Sequence, residues 1–309
     1  MNTEKKLRII YMGTPEFAVP ALEILVQNNW DVVGVITAPD KPKGRGQKLI
    51  PSPVKEAALK HRLNILQPTN LKSPEFQAEL RALAADLQIV VAFRMLPEAV
   101  WNMPPIGTFN LHASLLPNYR GAAPINWAII NGEKETGITT FFLKHEIDTG
   151  SIIFQEKVEI LPEDDLGSLY EKLMERGANL VLKTVEAIAA DVVVALPQDE
   201  TKAQHHAPKI FKETGEIDWG NSAEAIHNLI RGLSPYPAAW TTLQGKNCKI
   251  FKSKVDSDSG KVKAIGEFFT DGKSFLKFQS GAGMLEILEL QLEGKKRMKV
   301  DDFLRGYSF

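Results

Sequence analysis

Apolar positions along the first 190 residues follow two alternating patterns, and together they predict an α/β architecture. Short continuous apolar runs are typical of buried strands, whereas apolar residues spaced three to four apart are typical of amphipathic helices. Strands that alternate with helices predict a parallel sheet with helices packed against it. The predicted strands are 7–13, 31–39, 63–68, 87–93, 108–112, 137–143 and 151–160, and the predicted helices are 15–29, 53–62, 74–85, 123–132 and 166–190.

The pattern changes after about residue 190. Residues 191–209 become polar and aperiodic, which predicts a linker. In the last part, 210–309, one predicted helix at 222–233 precedes several short alternating segments that are separated by Gly and Asp. Short strands broken by turns predict a small β-barrel or sandwich. We therefore expect a first domain over 1–190, a linker over 191–209 and a β-domain over 210–309.

The charge balance limits the partners that the chain can bind. The formal net charge is −1, which excludes a uniformly basic surface for nucleic acid. From residue 200 onward, however, 17 Lys and Arg stand against 14 Asp and Glu. A second local excess of positive charge is the run PDKPKGRGQKL, which contains Lys41, Lys43, Arg45 and Lys48. Any polyanion is expected to bind at one of these two regions.

Cysteine usage and apolar segments indicate the compartment. Cys248 is the single cysteine, so no intrachain disulfide can form and a reducing compartment is expected. The first residues have too short an apolar run for a signal peptide, and no segment approaches the roughly 18 apolar residues of a membrane span. We expect a cytoplasmic protein that does not bind a membrane.

A polar pair at the end of the strand TFNLH is the first candidate for chemistry. Asn110 and His112 are two residues apart and therefore lie on the same face of the strand. In a parallel sheet, ligands bind beyond the carboxyl ends of the strands, which is where this pair is expected. Asp148, in the later loop KHEIDTG, can orient the imidazole. An amide, an imidazole and a carboxylate are the groups needed for acyl transfer without a covalent intermediate.

Other kinds of site are disfavoured by the sequence. The chain has no G-x-S-x-G motif, and its cysteine lies in the second domain, so a covalent nucleophile is not expected. The histidines are not spaced as zinc ligands, so no metal is expected. The segment IIYMGTPEF has one glycine of a dinucleotide-binding motif, and KPKGRGQK lacks the context of a phosphate-binding loop.

Two runs of sequence, NLHASLLPNYRGAAPI and IDTGSII, resemble the folate-dependent formyltransferases. The resemblance extends over nearly the whole chain, from RIIYMGTPEFAVPALE through PDKPKGRGQKLIPSPVK to GKKRMKVDDFLRG. It implies a Rossmann-like parallel-sheet catalytic domain and a small, OB-like C-terminal β-barrel. It also implies 10-formyltetrahydrofolate as the formyl donor and methionyl-initiator-tRNA as the acceptor. No metal is required for this reaction, and we expect a monomer.

The resemblance further implies roles for individual residues. The catalytic residues of the family correspond to Asn110, His112 and Asp148, with the amide and imidazole as oxyanion donors. The folate-contacting run corresponds to Ser114, Leu115, Leu116 and Pro117. One segment departs from the family, because VVAFRMLP has Phe93 and Arg94 where Tyr-Gly is usual. We assign no folate contact to that segment.

The resemblance also implies that the basic run at 39–49 contacts the acceptor end of the tRNA. Arg45 is the main predicted contact, because a guanidinium both pairs with phosphate and stacks on a base, and Lys43 and Lys48 are predicted to assist it. Two alternatives remain open from the sequence. One is a formyltransferase for a small amine, such as an amino-sugar nucleotide or a purine precursor. The other is a tRNA-binding protein without catalytic activity.

Overall fold

The computed structural model describes residues 6–43, 47–256 and 264–307. The strands are β1 Arg8–Gly13, β2 Asp31–Ile36, β3 Lys41–Lys43, β4 Lys48–Ile50, β5 Ile65–Leu66, β6 Leu87–Val91, β7 Gly107–His112, β8 Arg120–Gly121, β9 Glu135–Phe142, β10 Ile152–Glu159, β11 His206–Ala207, β12 Ala239–Leu243, β13 Lys246–Asp256, β14 Phe268–Thr270, β15 Leu276–Gln279, β16 Met284–Leu292 and β17 Met298–Lys299. The α-helices are α1 Val19–Gln27, α2 Pro53–Lys60, α3 Pro74–Ala82, α4 Glu98–Trp101, α5 Pro124–Ile130, α6 Leu166–Ala189, α7 Ala223–Leu233 and α8 Val300–Arg305.

The chain forms two compact units whose segments interleave. The first unit comprises Met1–Arg120, Gly137–Val158 and Tyr170–His205. The second comprises Gly121–Thr136, Glu159–Leu169 and His206–Phe309. Strands and helices therefore do not divide between the units at a single point in the sequence.

The first unit is built on a seven-stranded sheet in the order β10-β9-β7-β6-β1-β2-β5. Five neighbouring strands of this sheet are parallel to one another, as the pattern of strands and helices predicted; in sheet order they are β7, β6, β1, β2 and β5. β9 differs, because it lies antiparallel to β7. The apolar pattern of a strand reports burial but not direction, so the sequence alone did not reveal this reversal.

Burial explains why the central strands are apolar on both faces. Four consecutive side chains of β1, from Ile9 to Met12, are at most 1% exposed. Strands buried on both faces are read from sequence as continuous apolar runs rather than as alternating ones. The Ser-Pro pairs at 52–53 and 73–74 predict two helix starts with a serine cap, and both are confirmed: the hydroxyls of Ser52 and Ser73 accept hydrogen bonds from the backbone N–H groups of Lys55 and Phe76. Each cap satisfies an otherwise unpaired N–H group.

Two segments differ from the sequence-based prediction. The run 40–53 is rich in Gly, Pro and basic residues, a composition that predicts a loop, but β3 and β4 pair within it as an antiparallel hairpin. The alternating segment KAIGEFF predicts a strand, but the described part of this segment becomes a strand only at Phe268, where β14 begins. Gly- and Pro-rich composition indicates that a chain turns, but it does not exclude strand pairing on either side of the turn.

The second unit contains the antiparallel β-domain that the sequence predicted. Its sheet has the order β12-β13-β16-β15-β14, and β17 also pairs with β16. α7 packs against β13 and β16, and its buried face includes Ile226 and Ile230. α5 lies alongside α7, and the two approach closely because Gly232 has no side chain: a Cβ there would lie 2.6 Å from Ile130. Within the described residues, no helix has the length and apolar character to span a membrane.

Candidate active site

The strand β7 positions the first two candidate residues. It lies inside the sheet, between the parallel strand β6 and the antiparallel strand β9, so both of its edges are hydrogen-bonded. Leu111 is buried in the core, and a Cβ added to Gly177 of α6 would lie 2.7 Å from it. The alternation of side chains along a strand places Asn110 and His112 together on the opposite face, roughly 7 Å apart along the strand.

Asn110 offers an amide with no partner in the described parts of the chain. Its side chain is half-buried, and it makes no hydrogen bond to any residue that the structure describes. An amide group has two N–H donors and a carbonyl acceptor, and in a partly buried position these need partners. This side chain is therefore available to donate a hydrogen bond to a ligand.

His112 is 7% exposed and has both ring nitrogens in defined surroundings. Its Nε2 lies 2.8 Å from the backbone oxygen of Tyr119. A carbonyl oxygen only accepts hydrogen bonds, so Nε2 has to bear a proton. Its Nδ1 lies 3.9 Å from Oδ2 of Asp148. A proton taken up at Nδ1 would therefore lie between the imidazole and a carboxylate.

Asp148 belongs to the loop between β9 and β10, whose backbone is unusual. Asp148 has a φ of +55°, in the left-handed region that few non-glycine residues adopt, and its side chain is 12% exposed. Two residues on, Gly150 lies directly against β9: a Cβ there would lie 1.6 Å from the backbone oxygen of Phe142. No larger residue fits at Gly150 unless the loop moves. The loop that presents Asp148 therefore has little freedom.

The sequence-based prediction did not identify Gln198, which contacts this loop, or Arg120, which contacts Gln198. The side-chain amide of Gln198 donates to the backbone oxygens of Asp148, at 2.8 Å, and of Gly150, at 2.9 Å. Its oxygen accepts hydrogen bonds from Arg120 at 2.5 Å and 3.1 Å. Gln198 comes from the segment that was predicted to be a linker, and it is 50 residues away from Asp148 in sequence. No periodic pattern in the sequence marks such a contact.

The run predicted to contact folate forms a buried turn after β7. Ser114, Leu116 and Pro117 are buried, and Leu115 is half-buried. The hydroxyl of Thr139 donates to the backbone oxygen of Ser114 at 2.6 Å and accepts from the N–H of Leu116 at 3.3 Å. The turn is therefore held to β9 by a buried threonine, and its backbone is fixed relative to Asn110 and His112.

The segment that departs from the family follows β6. Arg94 donates hydrogen bonds to the backbone oxygens of Pro68 and Thr69, and its guanidinium lies 5.6 Å from the centroid of the Phe93 ring. Arg94 thus connects this segment to the chain after β5. These contacts give Arg94 a structural role within the described part of the molecule.

Three cations of the basic run, Lys41, Lys43 and Lys48, lie in the paired strands β3 and β4. At the base of the hairpin, the Asp40 carboxylate accepts hydrogen bonds from Lys55, at 2.7 and 2.9 Å, and from Gln67, at 2.8 Å. Hydrogen bonding to Lys55 lowers the pKa of this carboxyl. Lys48 is exposed in β4, opposite Lys43 in β3. Arg45, the main predicted contact, lies outside the described residues.

The described residues contain no group of three or more His, Cys, Asp or Glu side chains arranged to bind a metal ion. An amide without a partner in the described ranges and an imidazole with one nitrogen facing a carboxylate are suited to stabilising a developing negative charge and moving a proton.

Comparison with protein families identifies both parts of the chain. Residues 5–185 match the family described as "Formyl transferase". Residues 209–308 match "Formyl transferase, C-terminal domain".

Relatives from several bacteria are similar to this chain over almost their entire length. A methionyl-tRNA formyltransferase of Phocaeicola vulgatus is 57% identical, over 98% of this chain and 97% of its own. One from Bacteroides fragilis is 55% identical, over 98% of this chain and 96% of its own. A third, from Flavobacterium johnsoniae, is 53% identical, over 99% of this chain and 98% of its own.

Solved structures with low sequence identity share the fold. An N-formyltransferase from Helicobacter canadensis, in complex with folinic acid and dTDP-3-aminofucose, superposes with a TM-score of 0.69 at 21% identity, over 94% of this chain and 100% of that one. HypX from Aquifex aeolicus in complex with tetrahydrofolic acid gives a TM-score of 0.66 at 17% identity, over 97% of this chain and 47% of that one. The fold, the matches in both parts of the chain and the full-length relatives together show that this chain belongs to the formyltransferase family.

Proposed function

We propose that this chain transfers the formyl group of 10-formyltetrahydrofolate to the α-amino group of methionyl-initiator-tRNA. The observation that supports this reaction best is the half-buried amide of Asn110, which has no hydrogen-bond partner among the described residues and lies on the same strand face as His112. The Nδ1 of His112 lies 3.9 Å from Asp148. The acceptor is inferred from the near full-length relatives, which are methionyl-tRNA formyltransferases.

The reaction needs alignment more than it needs activation of the nucleophile. An α-amino group has a pKa near 8, and esterification of the neighbouring carboxyl lowers it further, so much of the amine is free base at neutral pH. Attack of this amine on the formyl carbon produces a tetrahedral oxyanion. We assign the N–H of Asn110 as the donor that stabilises the oxyanion, because this side chain has no partner among the described residues.

We assign proton transfer to His112 and Asp148. The sequence-based interpretation made His112 a second oxyanion donor, but its Nε2–H is already donated to the backbone oxygen of Tyr119. The remaining nitrogen, Nδ1, faces Asp148. The pair can accept the proton of the attacking amine at Nδ1, with the positive imidazolium stabilised by the carboxylate. The proton can then pass to the leaving N10 of the folate.

The run Ser114–Pro117 is proposed to contact the folate through its backbone. Because Ser114, Leu116 and Pro117 are buried, their side chains offer little surface, whereas the turn that they form follows directly after His112. Thr139 supports this turn from β9. A rigid backbone held in this way places a bound ligand at a defined distance from catalytic groups.

The hairpin and the C-terminal part are proposed to bind the tRNA. Lys48 is an exposed cation of a hairpin whose base is anchored by Asp40 and Lys55, and Lys43 pairs with it in β3. Arg45 belongs to the same basic run of the sequence. We retain the domain division into a catalytic part over 1–190, a linker over 191–209 and a tRNA-binding part over 210–309 as a functional proposal. We also propose that the protein acts as a monomer in the cytoplasm.

Formylation assays with charged initiator tRNA test the reaction and the catalytic assignment together. The wild-type chain is expected to form formylmethionyl-tRNA from 10-formyltetrahydrofolate. His112→Ala and Asp148→Asn should each lower kcat by about 10² or more, because they remove a proton-transfer group. Near-normal turnover in both variants would contradict the catalytic assignment. Transfer of the formyl group to a nucleotide-linked amino sugar but not to charged tRNA would show that the acceptor is a small amine rather than tRNA.

The role of the hairpin is tested separately. Arg45→Ala and Lys48→Ala should reduce kcat/KM for charged tRNA, Arg45→Ala by the larger factor, while the affinity for folate stays the same. The loss should become smaller at high salt, since screened charges contribute less. Unchanged kcat/KM for charged tRNA in both variants would show that the hairpin is not part of the tRNA-binding site.

A further inference from the structure

The loop of Asp148 depends on a side chain from a distant part of the sequence. Two backbone oxygens of this loop, those of Asp148 and Gly150, point toward the amide nitrogen of Gln198 and lie 2.8 and 2.9 Å from it. They lie on either side of Thr149, so the two hydrogen bonds hold both ends of a three-residue stretch. Asp148 in this stretch has a left-handed backbone, which is costly for a non-glycine residue and persists only where the surroundings stabilise it.

The orientation of the Gln198 amide is determined by its partners. On one side are two carbonyl oxygens, which only accept hydrogen bonds. On the other side is the guanidinium of Arg120, which only donates, at 2.5 and 3.1 Å from the Gln198 oxygen. If the amide were rotated by 180°, all four contacts would pair donor with donor or acceptor with acceptor. Gln198 therefore has one favourable orientation, with its NH₂ group on the Asp148 loop.

Arg120 is itself held in place by a carboxylate. Its two terminal nitrogens donate to the two oxygens of Glu200 at 2.7 and 2.8 Å, in a bidentate pair, and the Arg120 side chain is 11% exposed. Such a pair fixes the plane of a guanidinium as well as its position. Arg120 directly follows Tyr119, whose backbone oxygen accepts the hydrogen bond from His112.

The segment around Gln198 supports the His112 side of the site as well. The backbone N–H of Tyr119 donates to the oxygen of His205 at 2.7 Å, and the two rings are stacked with centroids 5.4 Å apart. Asn118 accepts hydrogen bonds from the backbone N–H groups of Gln204 and His205. Residues 198–205 thus contact the surroundings of both His112 and Asp148.

We infer that Gln198 is a positioning residue for catalysis: it fixes the backbone of the Asp148 loop so that the carboxylate faces His112. Arg120 and Glu200 fix the orientation of the Gln198 amide. This inference rests on the proposed function, because it requires Asp148 to act in the reaction. Gln198 contacts the backbone of the loop rather than the reacting groups, so its effect reaches the reaction only through the position of Asp148.

The test uses Gln198→Met in the full chain. Methionine has nearly the length and shape of glutamine but has no N–H group, so it removes the two hydrogen bonds to the loop. We expect kcat for formylation to fall about 10-fold or more, because misplacement of a catalytic group by a fraction of an ångström is costly. The KM values for 10-formyltetrahydrofolate and for charged tRNA should stay within about 2-fold, since substrate contacts remain.

Gln204→Met is the matched control. Gln204 lies in the same segment, is exposed, and makes its described hydrogen bond through the backbone, which methionine retains. It should leave kcat and KM unchanged. Gln198→Glu provides a second test, because it keeps the acceptor for Arg120 but places an anion against the two loop oxygens. Its kcat should be at least as low as that of Gln198→Met.

A double-mutant cycle with Asp148→Asn separates positioning from general support of the fold. If Gln198 acts through Asp148, Gln198→Met should have little further effect on kcat in the Asp148→Asn background. An equal loss in both backgrounds, or an unchanged kcat in Gln198→Met, would overturn the inference and leave the proposed function intact. Normal turnover of Asp148→Asn alone would instead refute the catalytic assignment on which the inference rests.

Discussion

Asn110 and His112 are held in place by different means from Asp148, although the three groups form one candidate site. The first two lie on β7, an inner strand that is hydrogen-bonded to neighbours along both edges. Asp148 lies in a loop with a left-handed backbone, and side chains from elsewhere in the chain support it. The two halves of the site therefore differ in what a substitution nearby can disturb.

This difference has a physical basis. A strand inside a sheet owes its position to many cooperative backbone hydrogen bonds and buried side chains, so loss of one contact moves it little. The Asp148 loop depends on a few specific contacts: the close packing of Gly150 against β9 and the two hydrogen bonds from Gln198. A loop of this kind can be displaced by one substitution. We therefore expect β7 to tolerate changes in its surroundings and the loop to be sensitive to them.

The largest effect is expected from changing the chemistry on the rigid strand. Asn110→Asp replaces an N–H donor with an anion that faces the developing oxyanion, so kcat should fall by about 10² or more. Asn110→Ala removes the donor without adding charge and should be less harmful. In both variants the Tm should change little, because the Asn110 side chain has no hydrogen-bond partner among the described residues. A kcat of Asn110→Asp that equals or exceeds that of Asn110→Ala would refute the role of Asn110 as an oxyanion donor.

A smaller but still large effect is expected from displacing the loop without changing any reacting group. Gly150→Ala places a Cβ 1.6 Å from the backbone oxygen of Phe142, so the loop has to shift. We expect kcat to fall by about 10- to 10²-fold. The control is Gly306→Ala, since no atom of the other described residues lies within 4 Å of a Cβ at that position. Should steady-state kinetics show no difference between the two variants, the loop is more tolerant than its packing indicates.

A change in the support of β7 should affect stability more than catalysis. Thr139 is fully buried and hydrogen-bonds the turn after β7, so Thr139→Val leaves polar backbone groups without a partner. We expect a loss of about 1–3 kcal/mol in the free energy of unfolding, with kcat lowered only a few-fold. Urea denaturation and steady-state kinetics measure the two effects. Thr242→Val, at an exposed position of β12, is the control and should be nearly neutral.

The smallest effect is expected at Glu200, which does not contact the Asp148 loop but pairs with Arg120, the residue that contacts Gln198. Hydrogen bonding to Arg120 lowers the pKa of the Glu200 carboxyl. The pair therefore stabilises the fold above the pKa of an unfolded glutamate, about 4.3, and this contribution is lost as the pH falls through the lowered pKa. Glu200→Gln should reduce kcat by less than about 2-fold at pH 7, because the group is exposed.

The pH dependence of the Tm checks the sign of this effect. The Tm of the wild-type chain should exceed that of Glu200→Gln near neutral pH, and the difference should disappear as the pH falls below about 4. A difference that grows on acidification would show that the Arg120–Glu200 pair is not its source.

Much of the first unit was predictable because its determinants are local. The apolar runs identified the parallel strands, the Ser-Pro pairs at Ser52 and Ser73 marked two helix starts, and these elements are confirmed. The two-residue spacing of Asn110 and His112 places them on one face of a strand whatever the rest of the fold does. Local spacing, however, does not specify the catalytic roles of these residues, which stay predictions.

Other features required the folded chain. The antiparallel direction of β9, the pairing of β3 with β4, the Tyr119 oxygen at His112 Nε2 and the contact of Gln198 with the Asp148 loop were not readable from the pattern. The last of these joins residues 50 positions apart, through a side chain from an irregular segment. Periodicity records which face of an element is buried, whereas contacts between irregular segments depend on where the whole chain brings them, because their backbone has no repeating geometry.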